Sequence, residues 1–413
     1  MKVSIKNIGM IKETKVPIEF DGITVITGNN NTGKSTVSKV LYCVFHSLYN
    51  INNSVKDYID RHVEIYVASI LPAISTVRHS VIKGFRDLID DLITSNTRDI
   101  IYDKIKKFLD ENKLTIDNDA INDAVDKIDK ILNVSEEIIE KNIIENNFLN
   151  VFGNSVNCLA EGCDKNGYIR VELKEKNIEF RFRNDALLSC KSDIKVLHDA
   201  TYYDGPYIMN SMLPINLHRN KYNEDLLSKM RRRSNESFDA SINRTNIIDL
   251  FNSFNSFGNL DINFDDHTVR LNGLKSPISV SSLSNGLKAI TFLKNLLLSG
   301  NISERDILIL DEPEINLHPE WQIELAHILV LLQKKLSLTI LLSTHSPYFL
   351  AAIDTFSYVE QIKDNCHYYL ALADGATSSI NDVSNDVEEV YKGLSDPYQK
   401  LLDQREKFYE KDL

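Results

Sequence analysis

The sequence predicts an α/β fold carrying an inserted helical subdomain, on three observations. A short apolar run at residues 23–26 leads into a glycine-bearing stretch, residues 28–35 (GNNNTGKS), and then into helical periodicity. Two later apolar runs, residues 307–310 and 338–342, have the length and composition of strands buried on both faces, with a helical pattern over residues 321–336 between them. Between these halves, residues 51–150 are rich in Ile, Asp, Asn and Lys at helical spacing. Pro72 and Gly84 interrupt that stretch, so it is a helical subdomain and not one long coiled coil.

Taken in order, Val3, Ile5 and Ile8, then Val16, Ile18 and Phe20, mark two β segments separated by a polar turn at residues 11–14. Residues 23–26 form a third. Val37, Val40, Leu41, Val44, Phe45 and Leu48 then repeat at the spacing of one helix face. Residues 168–183 alternate as a hairpin with Lys176 and Asn177 near its turn, and residues 196–203 are strand-like before the turn Asp204-Gly205-Pro206. The stretch 218–246 is basic and polar. Residues 267–271 read as a strand, 283–298 as a helix, and the acidic last forty residues as helical. The predicted organisation is an N-terminal lobe at 1–50, the helical subdomain at 51–150, a hairpin and basic segment of the same insert at 151–260, a C-terminal lobe at 261–375, and an acidic tail at 376–413.

Composition narrows the classes of function. The net charge of -12 excludes a surface that is basic all over, so any nucleic-acid contact must be a local patch. No apolar run approaches the roughly 18 residues of a membrane span, and the N-terminus MKVSIKNIGMIKE lacks a signal-peptide core, which predicts a cytoplasmic protein. Cys43, Cys158, Cys163, Cys190 and Cys366 are an odd, scattered set that suits reduced thiols. Cys158 and Cys163 have no second Cys/His pair nearby to complete a zinc site.

The stretch Gly28, Asn29, Asn30, Asn31, Thr32, Gly33, Lys34, Ser35, with Thr36 after it, matches GxxxxGK[ST]. In that pattern glycines let backbone N–H groups curl around phosphates, the lysine reaches the β and γ oxygens, and the serine hydroxyl faces Mg²⁺. The strand before it and the helix after it are the context a phosphate-binding loop requires. Residues 307–319 (ILILDEPEINLHP) then place Asp311 and Glu312 at the C-terminal end of a central strand, where ligands sit in α/β sheets. There Asp311 is a candidate Mg²⁺ holder and Glu312 a candidate base for the attacking water. Residues 341–347 (LLSTHSP) end another strand with His345 placed to face a γ-phosphate, and residues 281–297 set Ser284 and Gly286 at a helix N-terminus.

The order GNNNTGKS, LSNGLK, ILILDEP, LLSTHSP resembles the P-loop NTPases of ABC-ATPase head type, and within them the soluble SMC/Rad50/OLD-like branch that includes prokaryotic anti-phage defence ATPases. KNIG near the N-terminus and ExxLHPxWQ at 314–322 add to the likeness, which covers residues 1–48 and 260–375. The resemblance implies ATP and Mg²⁺ as cofactors, and Ser284, Asn285, Gly286 and Lys288 as a signature motif that contacts ATP held by another subunit. It also implies Glu312 as catalytic base, His345 as switch histidine, and a homodimer or higher oligomer formed through the ATPase heads. Two features depart from the family. No glutamine lies between Lys34 and Trp321, so the Q-loop glutamine is missing and Asp204 stands nearest to its place; the signature reads LSNGLK instead of LSGGQ.

From this resemblance follows the reading of an ATP-hydrolysing sensor or switch that controls a separate effector, a nuclease or toxin, in anti-phage defence. The alternative is a DNA-binding repair or maintenance ATPase, with Arg219, Lys221, Lys229, Arg231, Arg232, Arg233 and Arg244 as phosphate contacts. A membrane transporter's cassette is disfavoured by the missing glutamine and the large insert.

Overall fold

The computed structural model describes residues 1–71, 84–95, 97–205, 221–231, 245, 247–251, 261–263, 266–271, 274–388, 390–391, 394 and 400–405, with the side chains of Lys221, Arg231 and Asp261 outside the description. The chain divides into two compact units, Met1–Tyr49 with Asn146–Leu413, and Asn50–Glu145.

The first unit opens with β1 (Lys2–Ile8), β2 (Ile11–Glu13), β3 (Ile18–Glu19), β4 (Ile23–Gly28) and α1 (Lys34–Leu48). The second unit holds α2 (Ile51–Ile70), α3 (Phe85–Ile93), α4 (Arg98–Glu111) and α5 (Asn118–Leu132), and α6 (Glu136–Phe152) carries the chain across the boundary. Its helices pack around their own core, in which Val63, Ile89, Leu92, Ile105, Val125 and Ile128 are fully buried. A compact unit of short amphipathic helices is what the interrupted periodicity of this region permits.

Back in the first unit come β5 (Asn166–Leu173), β6 (Lys176–Arg183), β7 (Ala186–Ser192), β8 (Ala200–Tyr203), α7 (Lys221–Arg231), and a small antiparallel sheet of β9 (Asp261–Asn263), β10 (Thr268–Arg270) and β11 (Ile278–Ser279). Then follow α8 (Asn285–Leu298), β12 (Ile307–Asp311), α9 (Pro319–Leu336), β13 (Thr339–Thr344), α10 (Pro347–Val359), β14 (Cys366–Asp374) and β15 (Thr377–Asp382).

Twelve of the described strands form one mixed sheet in the order β7-β6-β5-β1-β2-β15-β14-β4-β13-β12-β8, with β3 paired to β1. The half β14-β4-β13-β12-β8 is parallel throughout. Its residues are buried almost without exception in β4, β12 and β13, which is why these segments read as continuous apolar runs and not as alternations. Ile23, Val25, Leu308, Leu310, Ile340 and Leu342 belong to one core with Phe292, Leu296 and Leu329 of α8 and α9. Because the strands run parallel, Gly28, Tyr203, Asp311 and Thr344 all emerge at one edge of the sheet, with Asp311 opposite Ser343 and Thr344 opposite Thr27.

The structure departs from the sequence reading in four places. Residues 11–13 form β2 and not a turn: the chain reverses at Gly9 (φ 53°) and Met10, and Ile11 is fully buried opposite Ile8. The β5–β6 hairpin turns at Lys174 and Glu175, with Lys174 at φ 57°, so Lys176 and Asn177 already pair in the second strand. Strands β5–β7, expected to belong to the insert, extend the main sheet through the β1–β5 pairing. In the tail, β15 is a strand paired with β14; its inward residues Thr377, Ser378 and Ile380 are small or β-branched, a weak signal among acidic neighbours.

Candidate ATPase site

Residues 28–35 connect β4 to α1 as a loop with little side-chain volume and much exposed backbone. Gly28 has φ 147°, and a Cβ there would lie 2.2 Å from the Ala371 carbonyl oxygen of β14, so no side chain fits. Asn31 (φ 62°) takes the left-handed conformation that asparagine tolerates, and Gly33 (φ 82°) caps α1 without a side chain. A helix N-terminus capped only by glycine leaves backbone N–H groups for an anion. Thr32 Oγ1 donates to the Asn29 carbonyl at 2.7 Å, and Thr36 Oγ1 accepts from Met10 N–H at 3.4 Å, tying the loop to itself and to the β1–β2 turn.

Lys34 is buried at 5% exposure, and its Nζ donates to the carbonyls of Gly28 (3.1 Å) and Asn29 (2.9 Å). Burial lowers its pKa, an effect that Glu312, Asp311 and Glu314 partly offset. The ammonium is thus held on the loop's own oxygens at the place where phosphate oxygens would take it over.

Two cavities meet this loop. One, of 540 Å³, is lined by Asn30 to Thr36 together with Met10, Phe152, Asn157, Cys158, Leu159 and Glu312. Its volume falls in the usual range for ligand pockets. The other, of 280 Å³, brings together Ser35, Lys39, Tyr202, Asp204, Asp311 and Glu312. Ser35 lines both.

Asp311 is buried, and its two oxygens accept from Tyr202 Oη (3.0 Å) and Ser343 Oγ. Glu312 sits at φ 49°, an unusual conformation for a non-glycine residue, with its N–H donating to Ser343. Its Oε1 lies 2.9 Å from His345 Nε2, and that close contact holds the Glu312 carboxyl below its ordinary range against the opposing effect of burial. Glu314, buried, accepts from Thr344 Oγ1 (2.5 Å) and from His345 N–H (3.2 Å), fixing the end of β13; burial raises its pKa. Asp204 accepts from Tyr222 Oη at 2.5 Å and faces the smaller cavity.

Ser284 and Asn285 are exposed at the start of α8, whereas Gly286 and Lys288 are buried. Ser284 Oγ accepts from Leu287 N–H at 3.3 Å, a capping role. A Cβ on Gly286 would lie 2.8 Å from the Asn316 carbonyl oxygen, so glycine lets α8 rest on the loop that follows β12. None of these four residues lines either cavity.

Of the basic stretch, Arg219, Arg232, Arg233 and Arg244 lie outside the described residues, as do the side chains of Lys221 and Arg231. Lys229 is not a free surface cation: it is partly buried against Asp199 (2.7 Å) and Asp225 (3.0 Å), with His46 Nδ1 3.1 Å from Asp199. The sequence reading passed over Tyr202, Ser343 and the 152–160 wall of the larger cavity. Tyr202 sits inside an apolar strand where nothing marks it, Ser343 lies within the LLSTHSP run without a task of its own, and the wall is distant in sequence from every motif.

A parallel α/β sheet whose strand ends gather a glycine loop with a buried lysine, an Asp-Glu pair and a histidine defines a P-loop nucleotide hydrolase. The family model described as AAA ATPase domain matches residues 1–350, and the chain belongs to that family: it is an ATPase. No curated protein matches. Similar solved structures include an SMC head bound to the C-terminal winged-helix domain of ScpA (10% identity, 92% of this chain and 97% of that one, TM-score 0.43) and the SMC head domain of Thermotoga maritima (12%, 92% and 98%, 0.38). A third is the SMC head of Pyrococcus furiosus with an extended coiled coil, bound to the C-terminal domain of ScpA (11%, 96% and 98%, 0.42). No helix among the described residues is long and apolar enough to cross a membrane.

Proposed function

We propose that this ATPase works as a head that pairs with a second copy when ATP is bound and separates after hydrolysis, serving DNA repair or maintenance as an SMC-like ATPase. One observation carries the pairing: the exposed Ser284 and Asn285 are absent from both cavities that hold Lys34, Ser35 and Glu312. A second copy is the natural source of that segment. In this reading Gly28 to Thr36 cradle the phosphates, with Lys34 leaving its loop carbonyls for the β and γ oxygens. Glu312, held ionised by His345, takes the proton of the attacking water.

Ser35 and Asp311 offer the hard oxygen donors that suit Mg²⁺, and both face the smaller cavity. The ion supplies charge neutralisation on the phosphates. Asp204 lines the same cavity, and in this reading it takes over the task of the missing Q-loop glutamine.

The test is mass photometry of Glu312→Gln with ATP and Mg²⁺, alone, with duplex DNA, and with the product of the neighbouring gene. Pairing that requires ATP and is lost in Lys34→Ala supports the head reading, and equal assembly of all variants sinks it. A complex held together by DNA supports the maintenance role. Recruitment of the neighbouring protein without DNA replaces that role with control of a separate effector, as in anti-phage defence.

A further inference from the structure

Tyr202 on β8 makes a contact that the reading above leaves without a task. It lies opposite Ile309 in the β8–β12 ladder, so its side chain leaves the sheet on the face shared by Ile309 and, two residues on, Asp311. From there Tyr202 Oη donates to Asp311 Oδ2 at 3.0 Å while Ser343 Oγ takes the other oxygen. The tyrosine is 2% exposed, its ring set among Tyr222 (5.0 Å between centroids) and Tyr42 of α1 (5.9 Å).

A carboxylate bonded at both oxygens by buried partners cannot rotate its plane freely. Each oxygen still keeps a lone pair for another ligand. Partners of this kind, one shell out from a metal, set ligand orientation, and losing them typically costs about 10- to 100-fold in metal affinity. We infer that Tyr202 is a positioning residue that fixes the Asp311 carboxylate for the divalent cation accompanying the nucleotide. The inference rests on the assignment of Asp311 to that cation.

The matched control lies next door. Tyr203 is equally buried on the same strand, packs on Phe292 of α8 (5.2 Å), and its hydroxyl has no hydrogen-bond partner among the described residues. Tyr203→Phe removes a buried hydroxyl without touching Asp311.

The experiment measures Mn²⁺ affinity of the full chain with a non-hydrolysable ATP analogue, by electron paramagnetic resonance, for wild type, Asp311→Asn, Tyr202→Phe and Tyr203→Phe. Analogue affinity without metal is measured alongside. The expected result is weaker Mn²⁺ binding in Asp311→Asn, a loss of about tenfold in Tyr202→Phe, no change in Tyr203→Phe, and unchanged metal-free nucleotide binding. If Asp311→Asn weakens Mn²⁺ but Tyr202→Phe behaves like Tyr203→Phe, the positioning role is wrong while the Asp311 assignment stands. If Asp311→Asn itself has no effect, both fall. Should Tyr202→Phe fail to fold, Ser343→Ala, which removes the opposite bond to Asp311, must show the same loss of Mn²⁺ affinity, and wild-type affinity there overturns the inference.

Discussion

His345 Nε2 lies 2.9 Å from Glu312 Oε1, joining the residues that follow β12 and β13. That close contact lowers the Glu312 pKa from its ordinary 4.5, with burial working the other way. A carboxyl depressed in the folded state adds stability above its unfolded pKa, and that stability is lost as pH falls through the folded value. His345→Ala therefore loses stability relative to wild type at pH 6, and the gap closes on acidification below pH 4.5. Urea titrations across that range read the difference directly. In the same variant kcat falls by about 100-fold or more if Glu312 is the base that His345 keeps aligned, with the KM for ATP little changed.

Gly28 meets a harder constraint than conformation alone. Its φ of 147° would strain any side chain, and the Ala371 carbonyl stands 2.2 Å from where a Cβ would go. Gly375, at φ 62°, has open space instead. Gly28→Ala must push β4 from β14 and is expected to cost about 3 kcal/mol or more, against about 1 kcal/mol for Gly375→Ala. Equal costs in chemical denaturation would show that the contact between the strands is not what requires glycine.

The parallel half of the sheet was the legible part, because β4, β12 and β13 are buried on both faces and leave uninterrupted apolar runs. Their ends carry Lys34, Asp311, Glu312 and His345, so the spacing of motifs along the chain became proximity in space. The antiparallel half was harder. β2 has three residues and β7 is an outer strand with exposed polar positions, so neither shows a hydrophobic pattern long enough to separate strand from turn. Glu314 shows the limit within a motif: its place in the Asp-Glu-Pro-Glu run was visible, but its grip on Thr344 and the His345 N–H exists only after β12 and β13 pair. Lys229 shows the opposite error, since a basic run in sequence hides which of its cations the fold turns inward.

Cys158 and Cys163 lie with their sulfurs 3.0 Å apart in the segment after α6, and Cys158 lines the larger cavity. Burial, with Cys158 alongside, raises the Cys163 thiol to about 11, so Cys163 is a poor nucleophile at neutral pH. Each thiol gives up a proton and an electron when a hydroperoxide joins them, and the peroxide is reduced to water and an alcohol. Peptide mapping after brief peroxide treatment is expected to find the 158–163 disulfide before any bridge to Cys43, Cys190 or Cys366, and faster at pH 9 than at pH 7. A first bridge between other cysteines would contradict the proximity.

Lys229 is the test of structural against recognition roles for the basic stretch. Its ammonium neutralises Asp199 and Asp225 in a partly buried group that also contains His46 of α1. Burial alone would lower the lysine pKa, but the two carboxylates outweigh it and raise the value above 10.5, so this contribution is complete below pH 10.5 and fades as pH rises through the folded pKa. Asp199 is likewise pulled below 3.8 by His46 and Lys229 against burial, so its share is present above pH 3.8 and is lost in stronger acid. Lys229→Ala leaves two partly buried carboxylates without their lysine and is expected to cost about 2–3 kcal/mol. Replacing Arg231, Arg232 and Arg233 by Ala is expected to reduce DNA affinity and flatten its salt dependence by about one slope unit per lost phosphate contact. Chemical denaturation and DNA titrations at two salt concentrations separate the two sets. A stable Lys229→Ala with weakened DNA binding would return that lysine to the surface and to the phosphate contacts.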